Sequence, residues 1–302
     1  MRRHALLSTL PLVFAVPLSA CSSSSDSSNG ASTTTVHYLG LGDSIAYGED
    51  GFVPYTKAAR PNGDAFIGYP DLLGREDFDG QYANLGCPGA TSDSFLSLDG
   101  VDNGCRVFQA DWLDTMHVPY TGTEADKADE VLTMNDVHVV TLSIGGNDLL
   151  LTLSDCATQT PGDSSAILTC ALKNLPQTLD KGATNLAAIL QRIRSAGFQG
   201  PLIYVNLYST YLASDSATLA VKAWNNAMAP VVTDAGGAVA DAFTAFADAA
   251  AAASADGDPC AAGLLIPNPD PSAMPACDVH PTAQGAHLLA DTVKATAGYA
   301  PR

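Results

Sequence analysis

Ser44 is the first residue of this chain whose type and position could do chemistry. It lies in Gly42-Asp43-Ser44-Ile45, directly after Val36–Leu41, an apolar segment with the pattern of a buried strand. A hydroxyl at the end of a strand can face the backbone N–H groups of the following turn, which suits a nucleophile. Gly, Asp and Ser are also common turn residues, so the motif needs a base and an oxyanion-binding group elsewhere in the chain.

His280 is the histidine best placed to act as that base, because a serine hydroxyl becomes a good nucleophile only beside a proton acceptor. It lies in Cys277-Asp278-Val279-His280-Pro281-Thr282. Pro281 and Thr282 are typical of the start of a helix, so we expect His280 on a loop that precedes the last helix. The other histidines beyond residue 20 lie in strand or helix patterns or border a loop; they are His37, His117, His138 and His287.

Two glycine-containing segments could supply donors for the oxyanion that forms during acyl transfer. Asn147 follows the two glycines of Ser143-Ile144-Gly145-Gly146, and its side-chain amide can donate into a pocket. Gly89 lies in the segment from Asn84 to Ser92, with Gly86 as a rival. Each segment also has the composition of an ordinary turn.

The elements that would position these residues alternate between strands and helices. Five strand patterns occur at Val36–Leu41, Gln81–Leu85, Val137–Ile144, Leu202–Leu207 and Ala238–Phe243. Helical patterns occur at Thr184–Ala196, Ala217–Met228 and Ala283–Ala297. This alternation predicts an α/β protein with a mostly parallel five-stranded sheet and helices on both faces. Sites in such sheets form beyond the C-terminal ends of the strands, where Ser44, Gly89 and Asn147 all fall.

In combination, these segments resemble the GDSL, or SGNH, hydrolase superfamily. Gly42-Asp43-Ser44 resembles the nucleophile block, Asn84 to Ser92 the second block, Gly145-Gly146-Asn147-Asp148 the third and Asp278-Val279-His280-Pro281 the last. The resemblance extends from residue 36 to about residue 298 and implies an SGNH, or flavodoxin-like, three-layer α/β/α sandwich.

The resemblance also implies a role for each matching residue. Ser44 would be the nucleophile and His280 the general base and acid. The backbone N–H groups of Ser44 and Gly89 and the side chain of Asn147 would form the oxyanion hole. Gly89 is preferred to Gly86 because the family's glycine comes five positions after the strand-end asparagine, here Asn84.

One departure from the family pattern concerns the group that orients His280. The usual last block is Asp-x-x-His, but Cys277 occupies the position three residues before His280, and Asp278 is two residues before it. Asp278 could reach the imidazole across a kinked loop. Alternatively, a backbone carbonyl near Cys277 could orient the ring. Either would fix the tautomer, and we expect Asp278 to be the catalytic-site acid that orients His280.

The N-terminus predicts export. Residues 1–20 have a basic start and an apolar stretch too short for a comfortable membrane span, and they end in Leu18-Ser19-Ala20 before Cys21. This resembles a bacterial lipobox, which implies cleavage and acylation at Cys21. An ordinary signal peptide cut near Ala20 is the alternative. Residues 21–35 read as a Ser/Thr-rich tether and 36–302 as the hydrolase domain. We therefore expect a cell-envelope protein held to a membrane by lipid, or a secreted protein if Cys21 is not acylated.

Six cysteines remain after Cys21, an even number that suits an exported chain. Pairing of nearest neighbours, which closes one local loop for each pair, is the simplest hypothesis; the pairs are Cys87–Cys105, Cys156–Cys170 and Cys260–Cys277. Other connectivities remain open. A metal site is disfavoured because no Cys-x-x-Cys occurs and the histidines are scattered.

Charge and motifs together define the function hypotheses. The formal net charge is −18, which disfavours nucleic acid as a partner. We expect a monomeric serine ester hydrolase of the lipase, esterase or phospholipase type, without cofactor, acting on a small-molecule or lipid ester. A polysaccharide O-acetyl esterase with the same machinery is the alternative. A non-catalytic ligand-binding surface lipoprotein is the third hypothesis, and the presence of Ser44, Asn147 and His280 argues against it.

Overall fold

The computed structural model describes residues 35–53, 63–210, 215–253, 255–270, 272 and 275–301. All of these residues belong to one compact unit. The predicted signal peptide, Cys21 and nearly all of the tether lie outside the described residues, so these assignments stay predictions. Within the described part of the chain, no helix is both long and apolar enough to cross a membrane.

Five parallel strands form the central sheet in the order β2-β1-β3-β4-β5. They are β1 (Tyr38–Gly42), β2 (Tyr82–Asn84), β3 (Val139–Ser143), β4 (Leu202–Val205) and β5 (Ala238–Ala240). Every residue of β1, β3 and β4 is buried, as expected for strands covered on both faces. The predicted α/β class and parallel sheet are therefore confirmed. The strand order reverses between β1 and β3, and such switch points open a crevice at the C-terminal edge.

Ten α-helices complete the described fold. They are α1 (Ser44–Tyr47), α2 (Tyr69–Asp77), α3 (Ser92–Leu96), α4 (Cys105–Trp112), α5 (Glu124–Met134), α6 (Gly146–Gln159), α7 (Ser164–Ser195), α8 (Asp215–Asp234), α9 (Ala242–Ala252) and α10 (Ala283–Lys294). Because side chains alternate along a strand, Leu39 packs with α5, α7 and α8 on one face, whereas Tyr38 packs with α2, α9 and α10 on the other. The two apolar clusters on either side of the sheet make the three-layer sandwich.

The structure differs from the sequence-based elements in three places. The last strand ends at Ala240, so Phe243 belongs to α9. The helix predicted at Thr184–Ala196 is the buried end of the 32-residue α7, whose first half contains no fully buried residue. The expectation that His280 lies on a loop is wrong, because His280 belongs to strand β7 (Cys277–Pro281). This strand pairs antiparallel with β6 (Leu265–Pro267) outside the main sheet.

Three disulfides join the local cysteine pairs that the sequence favours, Cys87–Cys105, Cys156–Cys170 and Cys260–Cys277. The first joins the loop after β2 to the start of α4. The second links α6 to α7, and the third ties β7 to the segment before β6. The first and third disulfides thus restrain segments that carry candidate site residues, the loop with Gly89 and strand β7 with His280.

Candidate active site

Ser44 is the first residue of α1, immediately beyond the C-terminal end of β1. Asp43 caps this short helix, with its Oδ1 accepting a hydrogen bond of 3.0 Å from the Ile45 N–H. Gly42 has a φ of +136°, and a Cβ there would lie 2.0 Å from the Ser143 carbonyl oxygen. The glycine therefore lets β1 pass close to β3 and turn sharply into α1. The turn leaves the Ser44 backbone N–H among the first-turn donors of a helix, which have no partner within the helix.

His280 is held by Asp278 within the same strand. The Nδ1 atom of His280 lies 2.8 Å from Asp278 Oδ2. Side chains two residues apart in an extended strand share a face, so the Asp-x-His spacing brings the carboxylate to the ring without a kinked loop. The other carboxylate oxygen, Oδ1, accepts from the Val279 N–H at 2.6 Å. The structure thus places Asp278, rather than a backbone carbonyl, against Nδ1.

Tyr208 fixes the strand that carries His280. Its hydroxyl donates to the Val279 carbonyl oxygen at 2.7 Å, and its ring stacks on Phe246 with centroids 4.2 Å apart. Sequence reasoning did not find Tyr208, because a tyrosine directly after a strand pattern carries no signal of its own. Its contact adds a second support for β7 beside the β6 pairing.

Glu49 is a second carboxylate beside His280 that sequence reasoning also missed. Its Oε2 lies 3.5 Å from His280 Nε2, the ring nitrogen that Asp278 does not contact. The backbone N–H of Glu49 donates to the Ser44 carbonyl oxygen at 3.0 Å, which anchors Glu49 to the end of α1. The signal in the sequence was an acidic residue five positions after the serine.

The carboxylates around His280 set its protonation. Burial lowers the pKa of His280, but the hydrogen bond with Asp278 and the charges of Glu49, Asp278 and Asp43 outweigh burial and raise the pKa above its usual value. For Asp278, burial acts in the other direction and raises the pKa. Its hydrogen bond with His280 and the charge of the imidazole nevertheless hold that pKa below the usual range. The pair therefore favours a charged carboxylate next to a basic imidazole.

Asn147 is the second residue of α6, shortly beyond β3, and hydrogen bonds orient both the nitrogen and the oxygen of its side-chain amide. Its Nδ2 donates to the Ala90 carbonyl oxygen at 2.9 Å, and its Oδ1 accepts from Asn103 Nδ2 at 2.7 Å. Because an amide nitrogen carries two hydrogens, one N–H of Asn147 is available to a bound group. Asn103, which the sequence did not single out, fixes which way the amide faces.

Gly89 lies in a tight turn in which the Ala90 N–H donates to the Cys87 carbonyl oxygen at 3.0 Å. Its φ is +82°, and a Cβ at this position would lie 2.5 Å from the Asn103 carbonyl oxygen, so the turn requires glycine. The rival, Gly86, uses its N–H to donate to Asn84 Oδ1 at 3.0 Å. This geometry favours Gly89 as an oxyanion donor.

Two buried carboxyl groups lie behind the serine. Burial raises the pKa of Asp43 to about 7, although the hydrogen bond from Ile45 and the charge of His280 oppose the rise. Glu124 is also buried, and its Oε1 accepts from the Gly42 N–H at 2.6 Å. Burial raises the pKa of Glu124 well above its usual value, which favours the neutral carboxyl group. It connects α5 to the end of β1.

Two cavities meet at Ser44 and Asn147. The apolar cavity has a volume of about 480 Å³ and lies among α6, α7 and α8, with Leu149, Leu175 and Leu207 in its wall. The second cavity, which we call the alcohol-side cavity, has a volume of about 460 Å³ and is lined by Glu49, Gly89, Trp112 and His280. In the described segments, no three His, Cys, Asp or Glu side chains lie close enough to hold a metal ion.

The exposed fractions of Ser44, Asn147 and His280 are 7%, 6% and 8%. All three also line the alcohol-side cavity, so each is shielded but reachable from it. Of the predicted site residues, the structure therefore brings Ser44, Gly89, Asn147 and His280 to one cavity, with Asp278 behind the imidazole.

Comparison with known proteins identifies the class that this fold and site define, the ester hydrolases. The sequence model of the GDSL-like lipase/acylhydrolase family matches residues 41–288, and the chain belongs to this family. The search of curated proteins finds no match.

Two solved structures illustrate the shared fold. Phospholipase A1 from Streptomyces albidoflavus is 18% identical and has a TM-score of 0.54; the match covers 86% of this chain and 100% of that one. An extracellular lipase from Streptomyces rimosus is 17% identical and has a TM-score of 0.52, with 85% and 98% covered. These similarities support the three-layer α/β fold with its parallel sheet.

Proposed function

We propose that this ester hydrolase acts through a covalent acyl-enzyme formed on Ser44. His280 Nε2 takes the proton of the Ser44 hydroxyl as the oxygen attacks the ester carbonyl. His280 then gives this proton to the leaving alcohol as the carbon–oxygen bond of the ester breaks. Water, deprotonated by the same imidazole, then attacks the acyl-enzyme. The acid is released as the imidazolium returns the proton to the Ser44 oxygen, which restores the free serine.

Donors for the oxyanion are the backbone N–H groups of Ser44 and Gly89 and the remaining N–H of Asn147. They come from three different segments that meet at the C-terminal edge of the sheet. Asp278 holds the imidazole in the tautomer whose Nε2 is free to accept a proton and stabilises the imidazolium that forms. The observation that carries the proposal is the convergence of these groups on one cavity, with 2.8 Å between Asp278 and His280.

The apolar cavity supports a lipid-like acyl group as the substrate. Its wall consists mainly of leucine, alanine and valine side chains. A volume of about 480 Å³ greatly exceeds what an acetyl group fills, and each buried methylene contributes about 0.8 kcal/mol of binding free energy. We therefore favour medium-chain or long-chain esters over the alternative, an O-acetyl ester of a polysaccharide.

The cellular location and the oligomeric state of the enzyme are further parts of the proposal. The lipobox-like Leu18-Ser19-Ala20-Cys21 supports acylation of Cys21 and attachment to the cell-envelope membrane. A lipid-anchored enzyme would meet lipid esters at that membrane. We expect the enzyme to be a monomer.

The test is hydrolysis of p-nitrophenyl esters that range from acetate to dodecanoate, by wild type and Ser44→Ala. We expect turnover that rises with chain length beyond acetate and falls by at least a thousandfold in Ser44→Ala, on the order of the loss seen for catalytic serines. Ser154→Ala, an exposed serine of α6, is the matched control and should behave as wild type. Turnover that does not depend on Ser44 would contradict the mechanism, and a preference for acetate would favour the deacetylase alternative.

A further inference from the structure

The alcohol-side cavity carries a single acidic side chain in its wall besides the catalytic residues. Glu49 lines it together with Val107, Trp112 and Leu150, and no lysine or arginine is among the residues that line it. The Glu49 side chain is only 17% exposed. A charge in so shielded a position acts on its neighbours more strongly than a surface charge would.

The position of His280 shows which half of an ester this cavity faces. In the proposed reaction, His280 gives its proton to the oxygen of the leaving alcohol, so the alcohol must depart on the side of the imidazole. His280 lines the cavity that contains Glu49 and does not line the apolar cavity. The acyl chain then occupies the apolar cavity, on the other side of Ser44.

We propose that the alcohol-side cavity is the subsite for the alcohol half of the ester, and that Glu49 makes it select neutral and cationic alcohols against anionic ones. This inference rests on the proposed function. It concerns the alcohol half of the ester, which the apolar cavity does not hold. An anion beside Glu49 would meet a like charge in a shielded site, whereas a cation would meet an opposite charge. The indole of Trp112 adds an aromatic surface, which attracts quaternary ammonium groups.

The charged groups that act on His280 are all acidic. Glu49 and Asp278 lie on either side of the His280 ring, and Asp43 acts on the ring from the end of β1. Burial raises the pKa of Glu49, and the charge of His280 opposes that rise. We therefore choose about pH 8 for the test, because an alkaline pH favours both the carboxylate form of Glu49 and the neutral form of His280.

The experiment compares three hexanoyl esters that differ in the charge of the alcohol. They are the choline ester, its uncharged isostere in which a tert-butyl group replaces the trimethylammonium group, and the isethionate ester, which carries a sulfonate. The kcat/KM for each is measured from released hexanoate, and the choline-to-isethionate ratio is compared between variants. This ratio cancels any effect of Glu49 on the basicity of His280, because all three esters use the same base.

We expect wild type to prefer the choline ester over the isethionate ester, with the neutral isostere between them. Glu49→Gln should lower the choline-to-isethionate ratio by about tenfold, the size expected for one shielded charge a few ångströms away. Val107→Lys, which adds a cation at an exposed position of the cavity wall, should lower the ratio as well and does not depend on Glu49→Gln folding well. Asp50→Asn removes the neighbouring carboxylate, which does not line the cavity, and should leave the ratio unchanged.

The outcomes separate the subsite from the proposed function. One outcome is Ser44-dependent hydrolysis of the neutral ester together with a choline-to-isethionate ratio that is unchanged in both Glu49→Gln and Val107→Lys. This outcome would overturn the subsite alone. A wild-type preference for the isethionate ester would overturn it too. Failure to hydrolyse any of the esters through Ser44 would overturn the proposed function and the subsite together.

Discussion

Asp278 Oδ2 lies 2.8 Å from His280 Nδ1, although one residue alone separates them in the chain. The contact exists because β7 is an extended strand, in which alternate side chains share a face. The pairing of β7 with β6 and the Cys260–Cys277 disulfide hold that strand in place. The orientation of the candidate base therefore depends on a two-stranded sheet that lies outside the central one.

The Asp278→Asn variant should lose most of the esterase activity. An asparagine amide can donate to Nδ1, which would stabilise the tautomer whose proton is on Nε2 and leave that nitrogen unable to accept the Ser44 proton. We expect kcat to fall on the order of ten-thousandfold, as for the matching change in serine proteases. The measurement is p-nitrophenyl hexanoate hydrolysis at constant pH, with Asp270→Asn, an exposed residue after β6, as the control. Activity close to wild type would exclude Asp278 as the acid that orients His280.

Hydrolysis should be lost on the acidic side of neutrality as His280 becomes protonated. The pKa of His280 is raised, so the fraction of neutral base falls already at a pH above the usual histidine value of about 6.5. Glu49→Gln removes a charge that favours the imidazolium, and the acidic limb of the kcat/KM profile should therefore move to lower pH. The profile is measured between about pH 5 and 9. A limb that stays in place, or moves to higher pH, would contradict the effect of Glu49 on His280.

Replacing the side chain of Asn147 tests the oxyanion hole. Asn147→Ala removes one of three donors, and kcat should fall by about a hundredfold to a thousandfold with little change in KM. Asn103→Ala leaves the Asn147 amide in place but removes the group that orients it, so we expect a smaller loss of kcat. Equal activity of wild type and Asn147→Ala would exclude this side chain from the oxyanion hole.

Narrowing the apolar cavity should change the preference for acyl chains. Ala171 lies on α7 in the cavity wall, and Ala171→Trp would fill part of the space that the chain occupies. Each methylene group kept out costs about 0.8 kcal/mol, or roughly fourfold, so kcat/KM for the dodecanoate should fall by at least about tenfold. Hydrolysis of the acetate should not change.

Lys173→Trp adds the same side chain to an exposed position of α7 outside the cavity and serves as the control. A uniform loss across all chain lengths in Ala171→Trp would indicate damage to the fold. An unchanged preference in a fully active Ala171→Trp enzyme would show that the acyl chain binds elsewhere.

The central sheet and the residues at its edge were predictable because both follow from short-range patterns. Continuous apolar runs identify buried parallel strands, and the residues that follow β1 and β3 must then lie together. Ser44 and Asn147 were found in this way. His280 was found from its motif, although the sequence did not predict strand β7, to which it belongs.

Other features depend on packing that no local pattern records. β6 and β7 are short, and prolines end both, so they lack the alternation of a strand. Glu49 reaches His280 only because α1 is a single turn closed by Gly48 with a left-handed φ of +81°. The apolar cavity is formed by three helices whose leucines look like ordinary exposed or core residues in the sequence.

The raised pKa of Asp43 can be tested through the pH dependence of the free energy of unfolding. Its pKa rises from 3.8 to about 7 on folding, so the native protein binds a proton that the unfolded chain releases. Stability from this group is therefore fully present below about pH 4 and is lost as the pH rises through about 7. The loss amounts to at most about 4 kcal/mol, at roughly 1.4 kcal/mol per pH unit.

Asp43→Asn keeps a side-chain oxygen that can cap α1 and removes the titration. The difference in unfolding free energy between Asp43→Asn and wild type, measured with denaturant, should therefore increase in favour of the variant between about pH 4 and pH 8. Asp99→Asn, at an exposed carboxylate, is the control and should show no such trend. A difference that is constant over this range would mean that Asp43 titrates in the native protein as it does in the unfolded chain, with its charge solvated despite its burial beside Ser44.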